Sequence, residues 1–141
     1  MSLRWAKGKT KIKWFPKTTS TTFTKGDLVR LASGLVATAT ASTTKHIGII
    51  LKAITSSDSD FASATRVPVE IPCEVGCEFE ADVTGTLLTT DLGLQFDMST
   101  AGLVNQDGTT SKVVTCTQFI SASKGRFKLN SNDEYADAVW E

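Results

Sequence analysis

Between residues 91 and 103 the chain reads DLGLQFDMSTAGL, which sets Asp91, Gly93, Asp97 and Gly102 within twelve positions. Acids and glycines so close together serve a calcium loop, a catalytic site, or the turns of a β-protein. A calcium loop needs several oxygens converging on one point. Its EF-hand form places acids at alternate positions, then a glycine, then a distant glutamate. Here Leu92, Leu94 and Phe96 alternate with Gly93 and Gln95 instead, the pattern of a strand leaving a turn. Gly93 supplies a backbone angle closed to other residues, and the aspartates bond nearby amides. The stretch reads as turns around a short strand with no metal, Leu94 and Phe96 facing different sides and one of them the core.

Other residues fit chemistry no better. Cys73, Cys77 and Cys116 are the three cysteines, and an odd number without a leader-like start is not a disulfide framework. Cys73 and Cys77 are spaced too widely for a zinc knuckle and Cys116 stands alone, so all three read as small buried side chains on strands. The neighbouring Glu70, Glu74, Glu78 and Glu80 would raise a thiol pKa rather than activate it. Any Ser–His or Cys–His mechanism must use the single histidine, His46, which has no acid near it in sequence and reads as a surface or strand-end residue. The P-loop, dinucleotide-binding and nucleophile-elbow patterns do not occur. Glu78, Glu80 and Asp82 would share one strand face, and paired carboxylates hydrolyse glycosides. Three acids on one face, however, are usually solvated or matched to bases of a neighbour. No enzyme, cofactor or metal site is expected.

The densest signal lies at the start. Residues 1–17 read as a basic, aromatic N-terminal arm ending at Pro16–Lys17, followed by a single β domain over 18–141. The candidate partner-binding residues are Arg4, Trp5, Lys7, Lys9, Lys11, Lys13, Trp14 and Phe15. In an extended chain the lysines at 7, 9, 11 and 13 fall on one side, and exposed tryptophans mark places where partners dock. Three readings stay open: single-stranded nucleic acid, with cations for phosphate and rings for bases; a protein partner, with the arm laid down as an extra strand; or a solvated terminus. Residues 1–30 carry eight Lys/Arg and one acid, residues 31–141 seven and fourteen. The acidic body repels a polyanion and favours the protein partner.

The elements that must position these residues are strands. Ser and Thr make up 34 of 141 residues; threonine favours a pleated surface and clusters of both mark turns. Segments 11–15, 27–31, 34–40, 46–51, 66–72, 77–83, 85–90, 94–98, 112–120 and 125–130 alternate or run apolar between turn residues, which predicts an all-β barrel or sandwich of eight to ten short strands. Pro68 and Pro72 demote 66–72 to an edge or irregular strand. Only 131–140 looks helical, with Ser131 and Glu134 at capping-box spacing. The acids Asp133, Glu134, Asp137 and Glu141, with no base after Lys128, form an acidic end that would suit a basic arm of a neighbouring copy. Net charge is zero, the longest apolar run, IGIIL, is far short of a membrane span, and the start lacks an apolar leader core. A cytoplasmic site of synthesis, no nucleic acid and no membrane are expected.

The order of segments carries a resemblance. KGDLVRL, SGLVATATASTTKHIGIILKAIT, DSDFA and VPVEIP precede FEADVTG and LTTDLGLQFDMSTAGLVNQDGTTSKVVTCTQFISASKGRFKLN. This layout over residues 24–130 resembles the capsid decoration proteins of tailed bacteriophages, also called cement or head-stabilisation proteins. The resemblance implies a structural virion protein on the capsid exterior, assembled in the host cytoplasm. Its partners would be the major capsid protein and itself, as a homotrimer near three-fold positions, where it cross-links coat subunits. The arm would reach the coat, and removing residues 1–17 would leave the β domain folded. A tail or head-fibre β-module and a single-stranded nucleic-acid-binding barrel are the alternatives.

Overall fold

The computed structural model of the protein describes residues 3–40, 46–73 and 76–130. Among them the chain is almost entirely β. Eleven strands run in order: β1 (Arg4–Lys7), β2 (Thr10–Pro16), β3 (Leu28–Ala32), β4 (Leu35–Thr38), β5 (His46–Ile50), β6 (Arg66–Pro72), β7 (Glu78–Thr84), β8 (Gln95–Thr100), β9 (Leu103–Asn105), β10 (Val114–Ser121) and β11 (Lys124–Leu129). A single 3-10 turn covers Thr89–Asp91.

One sheet has the order β1-β7-β11-β10-β8-β9, and β9 returns parallel to β7. That return closes β7, β11, β10, β8 and β9 into a five-stranded barrel, which removes most of the exposed edge. β7 is its hub. One side of β7 pairs with β11. The other is shared, with β1 along Glu78–Glu80 and β9 along Asp82–Thr84. Its alternation is the one expected: Phe79, Ala81 and Val83 are buried, Glu78, Glu80 and Asp82 point outward. Phe79 and Phe127 lie 6.2 Å apart at the centre, and Trp5 meets Phe79 edge-on at 5.7 Å.

The second sheet is antiparallel in the order β2-β6-β5-β3-β4. A parallel bridge from Lys17 to Val36 draws its two outer strands together. Phe15, Phe23, Ile47, Ile50, Val69 and Ile71 belong to its own core, while Leu28, Ala39 and Ile49 join that of the barrel. The two bodies are tied by Leu3 N–H to Gly26 O (2.8 Å), Leu28 N–H to Ala101 O (2.7 Å) and Trp5 Nε1–H to Glu70 O (2.9 Å).

The structure corrects three expectations and adds one strand, β9. Residues 1–17 are not a separate arm: within the described part, residues 4–7 are a strand against β7 and residues 10–16 a strand against β6. The cause is apolar: Leu3 and Phe15 are buried, and keeping them in water is costlier than ordering the segment. β6 is no edge strand but lies between β2 and β5. Pro68 is tolerated because β5 ends at Ile50, and the Pro68 carbonyl still accepts Leu51 N–H at 3.0 Å. Segment 85–90 is not a strand; Asp91 Oδ2 accepts Leu88 N–H at 2.9 Å and winds the chain into the 3-10 turn. β9, three residues long, was too short to show a period. The helical reading of 131–140 lies outside the described residues.

Candidate interaction surface on strand β2

The register of β2 against β6 runs from Thr10–Pro72 to Pro16–Arg66. Lys9 O accepts Cys73 N–H at 2.8 Å and Lys17 N–H reaches Thr65 O at 3.0 Å. Odd-numbered residues therefore turn their backbone groups toward β6. In an antiparallel ladder the intervening residues point the other way, so Thr10, Ile12 and Trp14 turn N–H and C=O to the outer side of β2, where the Trp14 carbonyl accepts Arg66 Nη1–H at 3.5 Å. Side chains follow the same parity. Lys11, Lys13 and Phe15 share a face with the buried Ile71, Val69 and Val67, while Ile12 and Trp14 lie on the opposite face beside Glu70 and Pro68.

Of the arm residues singled out from sequence, only some are exposed. Trp14 is 53 % exposed, and Ile12, which sequence reasoning passed over, is 58 % exposed. Lys9, Lys11 and Lys13 are exposed along the same strand, and Lys13 Nζ lies 5.6 Å from the Phe15 ring centroid. Phe15 itself is core. Trp5 is half-buried against Phe79 and tied to Glu70 O. Arg4 and Lys7 serve the barrel: Arg4 Nη2 bonds Glu80 Oε2 at 3.1 Å and Lys7 lies 3.9 Å from Glu78. The signal for Ile12 was its parity, since it shares that of Trp14 in KIKWF.

The other candidates resolve into structural roles. Glu80 is ringed by Arg4, Lys124 and Arg126. The Arg4 hydrogen bond, with Lys124 and Arg126 beside it, holds its carboxyl below the usual range. The acidic stripe is thus matched to bases of the neighbouring strands, the alternative to paired carboxylates in a cleft. Asp97 is buried and accepts Thr110, Ser111 and Lys112 N–H at 3.2, 2.7 and 2.7 Å. Asp91 accepts Leu88 N–H and the Gln106 amide at 3.3 Å. Both aspartates hold turns, Gly93 has φ +83°, Phe96 is buried and Leu94 is exposed. Among the described residues no cluster of three His, Cys, Asp or Glu side chains is placed to hold a metal ion.

His46 opens β5 and is buried, not on the surface, and burial lowers its pKa to about 4. Cys77 and Cys116 are buried, Cys73 half-buried, and all three are free thiols. Cys77 Sγ–H donates to Lys9 O at 3.2 Å, and desolvation raises the Cys116 pKa. No helix among the described residues is long and apolar enough to cross a membrane. Compared with models of known protein families and with curated proteins, the sequence matches neither.

Proposed function

We propose that the protein is a structural virion component that binds the outer surface of a mature bacteriophage capsid and stabilises it by holding neighbouring coat subunits together. The observation that carries this reading is the β2 surface. Ile12 and Trp14 stand outward from a strand edge lined by Lys9, Lys11 and Lys13. An exposed aromatic and aliphatic pair beside flexible cations suits a protein face better than a small-molecule site. The order of segments over residues 24–130, which resembles that of capsid decoration proteins, supplies the kind of face: the major capsid protein, with self-association into trimers on the shell.

The test is co-sedimentation with empty, expanded heads that lack the protein. Saturable pelleting at a fixed copy number per shell is expected, with Ile12→Ser and Trp14→Ser weakening it at an unchanged melting temperature. A folded protein that does not pellet would remove the shell reading and bring forward a tail or head-fibre β-module.

A further inference from the structure

An attachment face needs more than Ile12, Trp14 and three lysines. Stable protein contacts bury roughly 800 Å² and about 20–30 residues on each side, so the β2 surface must continue beyond its strand. Charge shows where. Among the described residues fourteen Lys/Arg stand against ten Asp/Glu; five of the fifteen acids but only one base, Lys45, lie outside them. The described fold is therefore basic, and five of its bases share the outer face of β1, β7 and β11.

That face is laid out in rows. Arg4 on β1 and Arg126 on β11 flank Glu80. Lys7 lies opposite Glu78, and the β11 register carried one residue on sets Lys128 on its other side. Lys124 is opposite Asp82. The bases stand highest. The side chains of Arg4 and Lys7 are 71 % and 69 % exposed, those of Glu80 and Glu78 13 % and 17 %. From β10, Thr117 Oγ1–H also donates to Glu78 Oε1 at 2.9 Å. The acids are spent within the sheet, and the face turns positive charge outward.

The face is continuous with β2. Only Gly8 separates Lys7 from Lys9. Gly8 has φ +93°, and a Cβ there would meet Cys77 Sγ at 2.6 Å. The chain therefore turns tightly from the barrel to the second sheet, with a lysine on each side of the corner. Two features select the partner. No aromatic ring is exposed on β7 or β11, so nucleic-acid bases have nothing there to stack on. Acids interleaved with bases repel a continuous phosphate backbone but admit separate carboxylates, each set against a base.

From the outward charge, the size that attachment needs and the continuity through Gly8, we infer that the β2 surface extends across β1 onto the outer face of β7 and β11, and that its partner there is an acidic face of the coat protein. The inference rests on the shell reading and adds the chemistry of its contact.

Co-sedimentation with empty, expanded heads compares the wild-type protein with Lys124→Gln plus Lys128→Gln, two changes on β11 that leave the β2 surface untouched. Attachment should weaken about fivefold or more, at an unchanged melting temperature. Lys52→Gln with Lys112→Gln removes the same charge elsewhere and should leave attachment as it was. Equal uptake of the wild type and the β11 variant overturns the inference and leaves the shell reading standing. So does equal weakening by the two pairs, which would make net charge the cause. A wild-type protein that does not pellet removes the shell reading and the inference with it. Native mass and a fluorescein-labelled single-stranded oligonucleotide report the other occupants in solution. An oligomer that the β11 changes dissociate would assign the face to a second copy. Saturable oligonucleotide binding lost in the same variant would assign it to a polyanion. Either result overturns the acidic coat partner.

Discussion

Asp97 shows how a residue that could have been a ligand is used up by the backbone. Its two oxygens take three amides of the 110–112 turn, and a buried carboxylate with that many donors has little left for a cation. Asp97→Ala strands those amides and is expected to destabilise the fold by about 2–3 kcal/mol, measured by urea unfolding. Calcium should leave the wild-type midpoint unchanged; an upward shift would sink the turn assignment. His46 sets the acid response. Its pKa falls from 6.5 to about 4 through burial, so the unfolded chain takes up a proton that the folded chain refuses. The His46 contribution to stability is complete above pH 6.5 and is lost as pH falls toward 4, by about 3 kcal/mol in all. His46→Gln should flatten that decline between about pH 6.5 and 4.5. Glu80 acts lower: with its pKa depressed below 4.5 by Arg4, its contribution is present above 4.5 and lost beneath it. A decline unchanged by His46→Gln would assign the acid sensitivity to the carboxylates.

At the scale of elements, Gly48 marks where β5 and β6 of the second sheet press together. A Cβ there would sit 2.2 Å from Glu70 O, the same carbonyl that accepts the Trp5 indole. Gly48→Ala should cost about 2 kcal/mol or more and shift the emission of Trp5. Unchanged stability and emission would mean that β6 moves freely past β5. Nearby, Lys17 is fully buried and its ammonium donates to Phe61 O and Ser63 O at 3.0 and 2.5 Å, clamping the 55–65 loop to β2. Lys17→Met keeps the stem but leaves two carbonyls unpaired, a loss of about 2 kcal/mol, with faster exchange in that loop as the specific sign. Much of this was legible in advance. The alternation in EFEADV specified both faces of β7, and KIKWF specified a strand. Pro68 misled because local rules treat a missing N–H as an edge, whereas the neighbouring strand simply stops there. Segment 85–90 misled because the cap from Asp91 outweighs the β-propensity of its threonines. The partner side chains of Glu80 could not be read at all, since they come from β1 and β11, far away in sequence. The candidate surface was half legible: the lysines and Trp14 stood out, but which aromatics face inward depends on the register with β6.

For the whole molecule, the place of β1 and β2 changes how the surface must be probed. Removing residues 1–17 takes away two strands along with the buried Leu3, Phe15 and Lys17, and is expected to abolish cooperative unfolding in calorimetry rather than leave a folded body. Point changes at Ile12 and Trp14, both more than half exposed, should shift stability by no more than about 0.5 kcal/mol and so isolate attachment from folding. Attachment to heads should weaken as salt rises through the range where Lys9, Lys11 and Lys13 are screened; a flat response would leave Ile12, Trp14 and backbone pairing as the source of affinity.

Arg4 and its partner Glu80 are 76 positions apart. At cellular rates of synthesis β1 waits about 4–15 s before the strand that receives it exists. Until then Leu3 and Trp5 have no barrel to enter, and the second sheet lacks the indole that ties it to its neighbour. β1 is thus made well before the strand that receives it, and an early stop anywhere before β7 leaves it unpaired.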